Sequence, residues 1–465
     1  MKALFINPRS KRPGEIQQKC FAPLGLLYLA ASLKRAGHSA EVIDANALGL
    51  DDDEAAERVR RAAPEIVGIP LLSEIFFPTY ALVKRVRAVY PQGRIVLGGA
   101  HASALPEEVL SEFKEAGYIL RGEADDSIVR LCDALESGAA LSGVRGLYYR
   151  QGGEVVGNEP AAPISDLDRL PHPARELIDG LYKYEKYYMV LVRPRPVDVM
   201  ITSRGCPFRC RFCCNTAGVY RARSPENVLE EIAAIYSRGI KSLDIADANF
   251  TFDRARALRI FELIKKERFK ISFRIKSRAD SIDDELVKKA KEAGAYLISL
   301  GMESGSQGVL DRMAKDTTVE KNAAACETVM KAGVKLNTGW IVGFPGETRE
   351  TVRQTADMII KIRPTTANIN VLCPYPGTAV YEEAIHSGSL AGDWSVKNSD
   401  VPWIRLPWTR SYNDLENAAQ YVKNRVYFRP GYMMNFAKEI IGNANITLAR
   451  YVLQESVKSL RQGAK

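Results

Sequence analysis

Cys206, Cys210 and Cys213 stand at CxxxCxxC spacing within the segment TSRGCPFRCRFC. Three thiolates this close can hold three corners of an iron–sulfur cube and leave one iron open, whereas a closed structural zinc or cluster site takes four protein ligands. An open iron implies chemistry at the cluster. Cys214 adjoins the triad, but neighbours on an extended strand project to opposite faces, which makes four-way chelation awkward. No later CxxC or CxxH supplies a second pair, and the chain has only 4 histidines. A catalytic iron–sulfur site therefore stands ahead of zinc.

The elements that must carry this loop alternate regularly. Strands are predicted at 197–202, 242–246, 270–276, 296–300, 335–342 and 367–371, with helices at 225–237, 253–267, 283–293, 319–332 and 348–362 between them. Six such units predict a parallel barrel or partial barrel with its ligand residues at the carboxyl ends of the strands. The cysteine loop follows the first strand. Asp247 and Asn249 follow the second, Arg278 the third, Gly301, Glu303 and Ser304 the fourth, Gly343 and Phe344 the fifth, and residues 374–378 the sixth. A carboxylate at Glu303 can accept hydrogen bonds, while glycine lets a ligand approach the backbone. Asp253 serves better than Asp247 or Asn249 as the cap of the next helix. Ordinary turn chemistry competes at the Pro-Gly pairs, and a cap or a solvated surface competes at Lys315 and Arg278.

The first 140 residues also alternate, with strands at 2–7, 39–44, 66–69, 94–98 and 118–121 and helices at 25–35, 53–62, 79–89 and 106–113. This predicts a parallel sheet covered by helices. No GxGxxG or GxxxxGK[ST] follows the first strand, so the ordinary nucleotide fingerprints are missing. Gly98 and Gly99 end a strand instead, placing a ligand crevice at the carboxyl ends.

These motifs resemble two known families. The triad with Phe212 before its last cysteine, the ADANFTFD loop, Arg278 in IKSRAD, the GxESGS element at 301–306 and GWIVGFPGET are similar to the radical S-adenosylmethionine (SAM) superfamily. PLGLLYLAASLKRAGHSAEVIDA, the strand ending in GIP, GGAHASALPEEVL and Arg121-Gly122-Glu123 resemble the cobalamin-binding domain that precedes many radical SAM domains.

The resemblance implies a 4Fe–4S cluster on Cys206, Cys210 and Cys213, with SAM near Asp247, Asn249, Arg278, Glu303, Ser304, Gly343 and Phe344. It implies cobalamin near Ser73, Gly98, Gly99, His101 and Glu123. Packing of His101 within its loop is an equal reading. Asp44-Ala45-Asn46 departs from the DxHxxG motif, so histidine is not expected on the lower corrin face, His38 is not a cobalt ligand, and the 71–73 loop is expected beneath the ring.

The implied enzyme cleaves SAM to a 5'-deoxyadenosyl radical, with cobalamin-dependent C-methylation of an unactivated carbon as the first expectation. Radical cyclisation or carbon–carbon coupling is the alternative, and a binding module without turnover a distant third. The implied partners are a small-molecule or lipid-like substrate and an electron donor such as flavodoxin or ferredoxin. No residue stands out as a catalytic acid or base.

Four regions follow. Residues 1–140 form an α/β, Rossmann-like cobalamin-binding domain, 141–196 a connector, 197–380 a partial (β/α)6 radical SAM barrel, and 381–465 a mainly helical C-terminal region that caps the substrate side. The connector holds a predicted hairpin across 151–153, and its tyrosines are read as interdomain packing. Trp394, Trp403 and Trp408 are read as closing the barrel's open side rather than lining a substrate cavity, with helices at 415–426 and 434–440; Tyr427 and Arg429 are read as lying near that cavity, with no catalytic role assigned.

With 465 residues, 46% hydrophobic and 26% charged, the composition is that of a soluble multi-domain protein. The net charge of +9 is spread over helix faces rather than gathered with aromatics, so nucleic acid is not an expected partner. No spanning apolar run or secretory signal is seen, and the cysteines read as reduced thiols of a cytoplasmic protein.

Overall fold

The structure, a computed structural model, describes residues 1–10, 19–189, 192, 194–214, 218–397, 400–430 and 432–434. The helix expected at 434–440 lies outside them apart from Met434.

The first sheet holds β1 (Lys2–Asn7), β2 (Ser39–Asp44), β3 (Ile66–Pro70), β4 (Arg94–Gly98), β5 (Tyr118–Leu120), β6 (Leu147–Gln151) and β7 (Glu154–Gly157). Their order is β2-β1-β3-β4-β5-β6-β7, parallel through β5 and antiparallel for the last two. In β1, Leu4 and Ile6 enter the core on one face while Ala3 and Phe5 enter the core on the other. Burial on both faces is what makes KALFIN a continuous apolar run rather than an alternating one. The hairpin predicted in the connector is present, and it joins this sheet past residue 140. The strand order reverses direction between β1 and β3, which opens a crevice at their carboxyl ends.

The second sheet holds β8 (Val197–Met200), β9 (Ser242–Ile245), β10 (Ser272–Arg278), β11 (Ala295–Glu303), β12 (Lys335–Val342) and β13 (Thr366–Val371), parallel and in chain order. Helices follow the strands as the sequence predicts. Asp253 caps the helix Arg254–Lys266 by accepting from Arg256 N, and Ser224 caps Pro225–Ser237, with proline in the first turn. Ile275, Ile298, Leu300, Leu336 and Trp340 bury one face of the sheet under these helices. The other face is the concave inside of an open half-barrel.

Each outer strand of this half-barrel is closed by side chains. At β8, Val199 N donates to Asp198 Oδ1 (2.7 Å) and Val199 O accepts from Arg175 Nη2 (2.9 Å). At β13, the Tyr427 hydroxyl accepts from Ala367 N (3.2 Å) and donates to Ala367 O (2.6 Å). Tyr427 thus closes an edge rather than lining a cavity.

The connector is anchored by buried charge. Arg175 Nε pairs with Asp198 (2.7 Å) and its Nη2 with Glu231 (2.7 Å), which also meets Arg223. Tyr187, fully buried, donates to Asp44 Oδ2 (2.9 Å) at the end of β2, while Tyr182 donates to Asp198 (2.6 Å). Tyr182 and Tyr187 pack between domains, as the sequence suggests, whereas Tyr184 is exposed. The tyrosine-rich stretch, which reads in sequence as a further strand pair or a flap, does form a pair: Tyr188–Met189 lies against Lys19–Cys20 in a short ribbon, a partner the sequence does not announce.

The C-terminal region clamps the loop after β12. Phe344 packs with Leu415 and Met313, Trp408 Nε1 donates to Glu347 O (2.8 Å), and Gly343 N donates to the Glu347 carboxylate. Trp394 is buried against Phe76 and His101 of the first domain. Both tryptophans act in closure. Among the described residues no helix is long and apolar enough to cross a membrane.

Two outcomes are expected. Glu231→Ala strands Arg175 and Arg223 without their shared carboxylate, and should lower the unfolding free energy in denaturant titration by about 3–5 kcal/mol. Burial raises Glu347 from 4.5 to about 7. Its native form therefore keeps a proton that the unfolded chain releases across this window. The resulting stabilisation is complete below the unfolded value and lost as pH rises through 7, an effect on the order of 3 kcal/mol. Thermal melts at about pH 5 and about pH 8 should show this decline in the wild type and much less of it in Glu347→Gln.

Candidate functional site

The cysteine loop is held at its base by a two-residue ribbon, Ser203–Arg204 against Arg221–Ala222. Gly205 lies at φ +80, and a Cβ there would sit 2.1 Å from Val219 O, so only glycine lets the two ends of the loop meet. Both ribbon arginines reach the first domain. Arg204 grips Asp125 with two bonds (2.8 and 3.1 Å), and Arg221 grips both oxygens of Glu123 (2.9 and 2.6 Å). Glu123 also accepts from Ile164 N (2.9 Å). Expected at the corrin, Glu123 is instead the strut between the domains.

Inside the loop, Cys213 N donates to Cys210 O (3.0 Å), a turn that brings the second and third cysteines together. Burial raises the Cys213 thiol to about 11, with the thiols of Cys210 and Cys206 adding to the effect. The Cys210 thiol is raised by burial and drawn back by Lys315 and Arg278. Arg278 stacks 3.8 Å from the Phe208 ring centre, with Nη1 3.7 Å from Cys210 Sγ. Among the described residues no three His, Cys, Asp or Glu side chains form a cage for a lone metal ion. A cluster spreads its thiolates over different irons, and two cations facing a loop of adjacent thiols suit its negative charge.

At the end of β11 the backbone departs from regular pairing. The register shifts between Gly301 and Glu303, and Glu303 takes φ +64. A non-glycine residue in this region carries local strain, which clusters at functional sites. The Glu303 carboxylate accepts from Lys315 Nζ (2.8 Å), and a Cβ on Gly301 would lie 2.4 Å from Glu303 Oε1. Lys315 is thus part of the site rather than a helix cap. Arg278, Glu303 and the cysteine loop form one rim at the carboxyl ends of the strands.

Other expected SAM contacts are spent on positioning. Asp247 accepts from Thr202 N (2.6 Å) and Ser203 Oγ (2.6 Å), fixing the strand that leads into the cysteine loop. Asn249 Oδ1 accepts from Arg278 N (3.3 Å). Ser304 is fully buried, accepting from Ser306 N (3.1 Å) beside Thr355, and Phe344 sits in the C-terminal core. Gly343 belongs to the Glu347 clamp. Short polar residues after strands read alike in sequence whether they face a ligand or brace a loop.

The first-domain crevice gathers Ser73, Gly98, Gly99 and His101. Leu71 N donates to Gly98 O (2.6 Å), and a Cβ on Gly99 would lie 2.9 Å from Leu71 O, so the loops after β3 and β4 are pressed together. Ser73 Oγ meets His101 Nδ1 (2.9 Å), and burial lowers His101 to about 4, leaving it neutral. Its ring packs on Phe76 and Trp394. Leu72, at 39% exposure, offers an apolar surface suited to a flat macrocycle. His38 lies elsewhere, held by the Met1 amino group (3.1 Å) and Asp133 (3.0 Å). Cys373 and Tyr375, after β13, pack against the apolar core of the first domain, where the charge of Glu74 in the crevice loop acts on the Tyr375 hydroxyl. The end of β13 at the barrel rim therefore packs against the crevice domain. Sequence reading missed this triplet because its members come from different domains.

Comparison with known proteins agrees with this geometry. The Radical SAM superfamily profile matches residues 200–359, and the B12 binding domain profile matches residues 18–131. An uncharacterized methyltransferase of Pyrococcus horikoshii is 33% identical over 389 residues, covering 83% of this chain and 83% of that protein. The anaerobic magnesium-protoporphyrin IX monomethyl ester cyclase of Cereibacter sphaeroides is 30% identical over 442 residues, covering 92% of this chain and 71% of that protein. The radical SAM methyltransferase TsrM from Kitasatospora setae, solved with cobalamin and a 4Fe–4S cluster bound, shares the fold. Its TM-score is 0.73 at 18% identity, with 92% of this chain and 89% of that one covered. A cysteine loop on a six-stranded half-barrel, joined to a crevice domain of matching order, has this explanation: the chain belongs to the radical SAM enzymes that carry a B12-binding domain, whose cofactors are a 4Fe–4S cluster, SAM and cobalamin.

Proposed function

We propose that this enzyme C-methylates an unactivated carbon, with Cys206, Cys210 and Cys213 holding the cluster and the Leu72–Ser73 and Gly98–Gly99 loops seating the corrin. The observation that carries this reading is the contact between the two domains at the rim, where Arg204 and Arg221 at the base of the cysteine loop pair with Asp125 and Glu123, and Cys373 and Tyr375 pack on the crevice domain. When bound, the cluster supplies the electron that cleaves SAM to a 5'-deoxyadenosyl radical, and cobalamin supplies a transferable methyl group. The chain's own residues orient and exclude. Arg278 and Lys315 offset negative charge at the thiolate loop, and Glu303, held by Lys315, presents its carboxylate at the rim. Neutral His101, locked by Ser73, supports the corrin floor without binding cobalt.

A second reading, radical ring closure without methyl transfer, is favoured by the 30% identity to the Cereibacter sphaeroides cyclase. Electrons would come from a reduced flavodoxin or ferredoxin, and the substrate is a small or lipid-like molecule.

Two measurements decide. After anaerobic reconstitution, wild-type protein with dithionite should convert SAM to 5'-deoxyadenosine, and Cys210→Ala should lose at least about a hundredfold of that rate, because a missing ligand removes the cluster. Undiminished formation in the variant would reject the cluster assignment. With SAM labelled in its methyl group, mass spectrometry should find label on added cobalamin. A protein that cleaves SAM yet transfers no label, or takes up no cobalamin at saturation, would favour ring closure.

A further inference from the structure

The inner face of the half-barrel can be read row by row from the strand register. Lys276, Ser299, Asn337 and Thr366 are consecutive partners across β10, β11, β12 and β13. Asn337 Nδ2 donates to Ser299 Oγ (3.3 Å), and Asn337 Oδ1 accepts from Thr366 Oγ1 (2.8 Å), so these side chains share one face. The next row, nearer the rim, is Arg278, Gly301, Gly339 and Asn368, and Asn370 lies one row beyond, opposite Ile341. Lys276 sits two residues below Arg278, about 7 Å deeper along its strand.

Three features single this face out. A Cβ on Gly339 would meet nothing closer than Leu300 O at 3.9 Å, so the centre of the face is open. Asn368 and Asn370 are exposed in an otherwise buried strand, and among the described residues neither side chain has a hydrogen-bond partner. The two acids whose charge reaches Lys276 are already engaged, Asp244 with Arg274 (2.7 Å) and Asp247 with Thr202 and Ser203. Lys276 has no ion-pair partner among the described residues, although it is largely enclosed and its ammonium is disfavoured by burial. An enclosed cation without an ion-pair partner, on a concave face whose far strand carries amides with no partner of their own, is a site for an anion.

We propose that Lys276, with Asn368 and Asn370, binds an oxyanion carried by the substrate, a carboxylate or a phosphoryl group, over the open face at Gly339. This deepens the proposed function and rests on it: the acidic group is held across the open face between Lys276, one row below Arg278, and the amides of β13, next to the rim that carries Arg278 and the cysteine loop. The substrate class is therefore acidic rather than a neutral lipid.

The test is binding, not turnover. Reconstituted protein with SAM is titrated anaerobically by calorimetry with phenylphosphonate, with benzoate, and with the neutral benzyl alcohol. One or both acids should bind at least about tenfold tighter than the alcohol, as expected for a charge-assisted contact. Lys276→Met should abolish that preference, Lys276→Arg should keep most of it, and Asn368→Ala, an exposed change that leaves the core intact, should weaken the preferred acid about three- to tenfold. A phosphonate-only or benzoate-only preference would identify which acidic group the site takes. Absence of preference in the wild type, or its persistence in Lys276→Met, overturns the proposal. So does a Lys276→Met protein that loses SAM affinity by the same factor, since the lysine would then serve the SAM carboxylate. Should Lys276→Met not fold, as judged by near-ultraviolet circular dichroism, the Asn368→Ala and Lys276→Arg arms decide. Because no methyl transfer is read, failure here is separable from failure of the labelled-SAM experiment.

Discussion

The ion pairs from Arg204 to Asp125 and from Arg221 to Glu123 set the geometry on which the remaining chemistry depends. They join the base of the cysteine loop to the end of the first sheet, so one contact fixes both the loop's shape and its placement against the crevice domain. Such a joint is directional as well as cohesive, because paired bonds from a planar guanidinium allow little rotation. The buried Arg175 network and the Tyr187–Asp44 bond brace the connector nearby. Together they oppose a hinge motion that would separate the two cofactor places.

Parallel register then does the rest. Because the half-barrel strands all run the same way, their carboxyl ends deliver polar residues to a single rim, while the inner face below it stays lined by short polar side chains. Strain is concentrated where function needs it, at Glu303, whose unusual backbone is stabilised by Lys315. Charge is distributed with equal economy: most cations near the rim face thiols or carboxylates.

Local signals were legible in the sequence. The runs that became β1, β2, β4 and β12 were found with the same limits, Asp253 was recognised as a cap, and the cysteine triad led to the right family. The helix Ala100–Ala104 reads in sequence only as a glycine loop, and Asp125–Ser137 and Gln307–Arg312 carry no separate signal, since each begins directly after a polar motif. Less visible still was how polar residues are used. Ser304 and Asp247 sit where a ligand contact belongs but brace the backbone, and Glu123 pairs with an arginine 98 residues away. Spacing along a chain reports local geometry; it does not report which distant side chain arrives to use a carboxylate.

The closed edges of the half-barrel have a consequence for association. An incomplete barrel exposes two outer strands, each a template for an additional strand from another chain. Here Asp198 and Arg175 satisfy the outward backbone groups of Val199, and the Tyr427 hydroxyl satisfies those of Ala367. At these two positions neither edge offers free backbone groups to an incoming strand, so the gap between them can remain open to a small molecule with less risk of seeding aggregation.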